Sequence, residues 1–129
     1  MIILLDTSTP QCNLKLMMAN GERFEYTWLA ERSLAKGLHA YIYQKLQSHN
    51  LNWQDIAGVG VMRGPGSYTG LRIGLTVANT LADSLGVPIV GKTGENWVEA
   101  SLQSLDAGEN DKIVLPEYGG EANITTPRK

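Results

Sequence analysis

Apolar and polar positions alternate along this chain in short blocks whose spacing separates strands from helices. The opening "MIILL" is an unbroken apolar run that stops at Asp6 and the hydroxyls of Thr7, Ser8 and Thr9 before Pro10, which predicts a buried strand and a turn. Residues 13–19, "NLKLMMA", alternate in part; Asn20-Gly21 suits a tight type I′ hairpin; and in 23–30, "RFEYTWLA", the aromatic residues Phe24, Tyr26 and Trp28 share one face. Three antiparallel strands are expected. From Ser33, read as an N-cap, Leu34, Leu38, Tyr41, Ile42 and Leu46 recur at helical spacing. Residues 55–64, rich in Gly and Val, read as a buried strand whose glycines approach another backbone closely. A helix follows over 69–86, with Gly86 just past its end, then a strand over 87–94 and a helix over 95–108 with Trp97, Val98, Leu102 and Leu105 on one face.

Hairpin strands followed by helix, strand, helix, strand and helix imply an α/β fold, in which a mixed sheet is covered by flanking helices and right-handed crossovers join its parallel strands. That is a ribonuclease H-like layout, with an N-terminal antiparallel three-strand unit. Residues 1–108 make one such lobe, and residues 109–129, ending in Gly-Gly and Pro, make a short extended C-terminal tail.

At 129 residues the chain suits one domain with a real core, and 43% hydrophobic with 19% charged residues is an ordinary globular balance. The net charge of -2 comes from scattered residues, so a nucleic-acid role would be carried by a partner. One cysteine, Cys12, leaves no internal disulfide and is expected as a small apolar filler. "MIILL" has no basic segment before it and meets Asp6 at once, so neither a signal peptide nor a membrane span is expected, and the cytoplasm is the default location.

The candidate chemistry gathers at "RGPGSYTGLR", residues 63–72. Gly64, Gly66 and Gly70 permit close backbone approach, and the loop feeds a helix N-terminus, where free N–H groups favour an anion. The string matches neither phosphate-loop pattern, so a packed structural corner is preferred and a phosphate site lining Asp6, Thr7, Ser8, Gly64, Gly66 and Ser67 is the secondary reading. Ser67 and Thr69 lack a nucleophile elbow and a neighbouring base, so helix capping is their expected role. Arg72 opposes the helix dipole unless something offsets it. Asp6 either directs a phosphate or metal, or caps its own turn. His39 and His49 lie ten apart, which is the wrong spacing for a helical metal pair, and both are expected at the surface. The "NIT" at Asn123 matches a glycosylation signal that recurs by chance.

Gly74, Ala78 and Ala82 stand four apart on the helix after the loop, flanked by Leu71, Leu75 and Leu85. Such a row lets another element approach closely, either across a subunit interface or inside the chain against the sheet.

The segments "LLDTST", "GVGVMRGPGSYTGLRIGLTVANTLA" and "GVPIVG" resemble the TsaB (YeaZ) family over roughly residues 1 to 100. The resemblance implies an actin-like architecture of ribonuclease H-like lobes without catalytic apparatus. It further implies a partner that binds and supports TsaD as a heterodimer, with TsaE in a larger complex, in making N6-threonylcarbamoyladenosine at position 37 of tRNA. It implies no cofactor, no metal and no peptidase activity, and contact with tRNA only through the complex. The family's helical dimer surface maps here onto Leu38, Ile42, Leu71, Gly74, Leu75, Ala78 and Ala82. Members typically carry a second lobe, and here only about two dozen residues follow Leu105. A small ATP-handling protein using Asp6, Thr7, Ser8 and Gly66, and a homodimeric interaction module acting elsewhere, are the alternatives.

Overall fold

The structure, a computed structural model, describes residues 1–119. Three strands, β1 (Ile2–Asp6), β2 (Gln11–Met17) and β3 (Arg23–Leu29), form the antiparallel unit; helix α1 (Leu34–Gln47), strand β4 (Gly58–Met62), helix α2 (Tyr68–Leu85), strand β5 (Ile89–Lys92) and helix α3 (Trp97–Asp106) follow. The sheet order is β3-β2-β1-β4-β5, antiparallel between β1, β2 and β3 and parallel from β1 to β4 to β5. The expected mixed sheet with an antiparallel start is therefore present.

Alternation along the strands divides their side chains between two faces. Ile3, Leu5, Cys12, Leu14, Leu16, Val59, Val61 and Ile89 join Leu34, Leu38, Ile42 and Leu46 of α1 and Leu71, Leu75, Ala78 and Ala82 of α2 in one core. Phe24, Tyr26 and Trp28 flank that core, as their shared face predicted. The opposite face carries α3, for which the strands leave room: a Cβ on Gly60 would meet Leu4 and Ser101, and one on Gly58 would meet Leu105. Trp97, Ser101 and Ser104 are the buried row of α3, with Val98, Leu102 and Leu105 only half-buried. The predicted apolar face was thus rotated, because the glycines of β4 accept small side chains more closely than leucines.

One helix start differs from expectation and the other meets it. Ser33 has helical dihedrals and makes no side-chain cap, since a short 3-10 turn over Glu31–Ser33 leads directly into α1. Helix α2 begins at Tyr68, and Ser67 caps it by accepting from the Gly70 N–H at 3.2 Å. Its far end closes on Gly86 in the left-handed conformation, as expected. Residues 109–118 do not hang free. Asn110 and Asp111 pair with the outer edge of β5, the chain then passes Asn79 of α2 and Arg63 beyond β4, and Val114 is buried against Gly91. The Asn123 signal lies outside the described residues.

Candidate functional site

The corner where β1 ends and α2 begins brings together Asp6, Thr7, Ser8, Gly64, Gly66 and Ser67. Their polar groups are directed at one another. The Asp6 carboxylate accepts from the Ser8 N–H at 2.8 Å and from the Ser8 hydroxyl at 2.6 Å, so it caps its own turn. The buried Thr7 hydroxyl donates to the Gly70 carbonyl at 2.7 Å, and the Ser67 N–H donates to the Ser8 carbonyl at 2.8 Å. Glycine is required here by close approach: a Cβ on Gly66 would meet Ser8, one on Gly70 would meet the Thr7 carbonyl, and one on Gly74 would meet the Thr7 side chain. Gly64 also has φ +129°, and the Glu117 carbonyl occupies the place of its Cβ. The corner is a packed joint between strand and helix.

Leu38, Ile42, Leu71, Gly74, Leu75, Ala78 and Ala82, expected at a partner interface, are all buried within the chain. The row of small residues admits Thr7 and the sheet, which corrects its assignment as an intermolecular surface. A helix face that meets the sheet at this distance has no room left for a second protein.

The outward side of the same two helices is a different set of residues. Thr69, Ile73, Thr76, Val77, Thr80 and Ser84 run along α2, uncharged and exposed or half-buried. Thr76 and Val77 line two adjoining hollows of about 400 and 320 Å³, which reach His39 and Trp53 on one side and Ala35 and Arg72 on the other. His39 stacks on Trp53 at 4.7 Å between ring centroids, and Tyr43 stacks on the same indole at 5.5 Å. Arg72 lies 5.4 Å over the Tyr68 ring, an aromatic rather than an acidic partner. The signal for this surface was in the sequence, as a helically spaced row of Thr and Val without charge, but the smaller residues beside it drew the prediction.

Cys12 is the filler it was expected to be. Burial, and then the nearby Asp6 charge, push its thiol up to about 11. His49 is half-buried, its ring nitrogen 2.6 Å from the Tyr26 hydroxyl. Among the described residues no three His, Cys, Asp or Glu side chains are grouped so as to hold a metal ion, and no helix is long and apolar enough to cross a membrane.

The strand order, the two helices on one face and the glycine joint define a single ribonuclease H-like lobe of the actin-like class. Residues 28–107 match the family model described as TsaD, tRNA N6-adenosine threonylcarbamoyltransferase. The chain is 37% identical over 106 residues to the tRNA threonylcarbamoyladenosine biosynthesis protein TsaB of Bacillus subtilis, covering 81% of this chain and 46% of that one. It is 33% identical over 109 residues to TsaB of Haemophilus influenzae, covering 84% and 46%. The solved structure of YeaZ from Pseudomonas aeruginosa superposes with a TM-score of 0.63 at 26% identity, covering 71% of this chain and 44% of that one. The chain belongs to this family, and within it to the TsaB/YeaZ proteins. It spans about half the length of the curated relatives it matches.

Proposed function

We propose that this chain acts in the formation of threonylcarbamoyladenosine in tRNA as a non-catalytic subunit that binds and supports a TsaD-type transferase, with TsaE joining a larger complex and tRNA reached only through it. The surface assigned to the partner is the outer side of α1 and α2, centred on Thr76 and Val77. The observation that carries this reading is the contrast between the two candidate sites. At the glycine joint the side chains of Asp6, Thr7, Ser8 and Ser67 hydrogen-bond within the chain. On the outer helix face an uncharged strip with two hollows and a stacked His39–Trp53–Tyr43 group remains uncovered. An interface core depleted in charge and furnished with aromatic residues is what association favours.

The test is light scattering on size exclusion of this protein alone and mixed with TsaD from the same source. A stoichiometric complex that includes this chain is expected. An unshifted profile in the mixture, with dimers of this chain alone, would replace the reading with that of a homodimeric module.

A further inference from the structure

The segment after α3 is held at three separate places. Along the edge of β5, the Asp111 N–H donates to the Ile89 carbonyl at 2.7 Å, the Ile89 N–H donates to the Asn110 side chain at 3.1 Å, and the Gly91 N–H donates to the Asp111 carboxylate at 2.9 Å. On α2, the Asn79 side-chain amide donates to the Val114 carbonyl at 3.0 Å and accepts from the Val114 N–H at 2.9 Å. At the end of β4, the Arg63 guanidinium donates to the Leu115 carbonyl at 2.9 Å, and the Glu117 N–H donates to the Arg63 carbonyl at 2.7 Å. Tyr118 then lies against Tyr68 with ring centroids 4.6 Å apart.

Val114 is the one fully buried side chain of this stretch, and the half-buried Tyr118 packs against the core from outside. Val114 is 4% exposed, whereas Ile113 and Leu115 on either side are 66% and 65% exposed. The segment crosses the carboxyl ends of β4 and β5, the side of a parallel sheet where crevices form. Its attachment is therefore made mainly of hydrogen bonds, exposed at Arg63 and Asp111 and part-buried at Asn79 and Asn110, with Val114 as the one fully buried apolar side chain and Tyr118 half-buried, while the sheet beneath has its own continuous core. Elements with little buried apolar area and exposed hydrogen bonds are those that open below the global unfolding limit.

We propose that residues 110–118 form a displaceable strap that opens as one unit from a folded five-stranded sheet, uncovering the edge of β5 and the carboxyl end of β4. Opening frees the Ile89 and Gly91 N–H groups and the Ile89 carbonyl together, because their partners sit on adjacent residues of one strap. It also releases Arg63 from the Leu115 carbonyl. This device reaches α2 at Asn79 and Tyr68 but uses none of Thr76, Val77 or the His39–Trp53–Tyr43 group, and it goes beyond the subunit role, so the two can fail independently.

Native-state hydrogen exchange on the full chain, followed by NMR at rising sub-denaturing urea, tests the strap. The amides of Ile89, Gly91, Asp111, Val114 and Glu117 are expected to share one opening free energy with a weak urea dependence, below that of Leu5, Leu14 and Val59. In Asn79→Ala the same five amides are expected to exchange faster by a common factor of roughly tenfold, with the core amides unchanged. Asn79→Asp, which keeps the acceptor for Val114 and loses the donor, is expected to fall between. The proposal is overturned if the five amides open at unrelated free energies, if only Val114 responds to the variants, or if strap and core amides open together in the wild-type chain.

Discussion

The Thr7 side chain stands where Gly74 would carry its own, and the Thr7 hydroxyl donates to the carbonyl of Gly70 one helical turn earlier at 2.7 Å. One residue at the end of β1 thus explains two glycines of α2. The helix is drawn against the strand end at a distance that no other residue at 74 allows.

Gly74→Ala is expected to destabilise the fold by about 2 kcal/mol, since the added methyl meets the buried Thr7 side chain rather than open space. Thr7→Ala is expected to cost about 1 kcal/mol by removing the hydroxyl that donates to the Gly70 carbonyl beside its helical partner. The double variant is expected to cost less than the sum, because removing the Thr7 branch makes room for the methyl. Urea unfolding of the four proteins reads the coupling, and strict additivity would show that the two residues do not share this space.

Ala78→Glu and Thr76→Glu separate the two sides of α2. Ala78 is fully buried, so an unpaired carboxylate there costs several kcal/mol and the variant is expected not to fold. Thr76 is exposed, so its variant is expected to keep the wild-type circular dichroism and melting temperature while losing the proposed complex with a TsaD-type partner. A folded Ala78→Glu that has lost its partner would return the interface to the row of small residues.

The Cys12 thiol gives a pH dependence whose sign follows from its burial. Its folded value is pushed up to about 11 from an ordinary 9.0, so between those limits the unfolded chain gives up a proton that the folded chain keeps. Stability is accordingly unaffected by this group below pH 9 and falls from pH 9 to 11, by up to about 3 kcal/mol. Cys12→Ala is expected to remove that part of the decline in urea titrations. A thiol reagent at neutral pH is expected to react only as fast as the protein opens.

Ser101→Ala is expected to raise stability by about 1 kcal/mol. The Ser101 hydroxyl is fully buried beside Gly60 and has no hydrogen-bond partner among the described residues, so its removal relieves a desolvated group at little cost in packing. A lowered midpoint in thermal unfolding would mean that the hydroxyl is satisfied in solution.

How far the sequence was legible differs between elements. The hairpin was readable because Asn20-Gly21 and the alternation of Phe24, Tyr26 and Trp28 act within a few residues. The turn is not the expected type I′: Gly21 alone of the loop has a positive φ, its N–H donates to the Met18 carbonyl at 3.0 Å, and the three-residue loop over 19–21 sets the pairing of Met17 with Arg23. The face of α3 was misread because Ser101 owes its burial to Gly60, forty-one positions away, and helical periodicity carries no information about a glycine on another element. The candidate site was half legible. The glycines of 63–72 announced a close approach, while the residue they approach, Thr7, lay in a turn whose hydroxyls read equally well as phosphate ligands.

The sequence by itself determined the strands, the helices, their order and the kinship with TsaB/YeaZ proteins, since local periodicity and a long contiguous motif are properties of the chain read in a line. Only the tertiary structure decided which side of α2 faces in. Two rows on that helix, the small one at Gly74, Ala78 and Ala82 and the β-branched one at Ile73, Thr76, Val77 and Thr80, were both suited to packing. The sheet took the small row, because Thr7 and the strand ends needed the closer approach and the leucines beside it supplied the apolar area. The strap was likewise a tertiary matter, for the pairing of Asn79 with Val114 spans thirty-five positions, and an Asn on a helix and a Val in a polar tail show no mutual signal until the chain has folded.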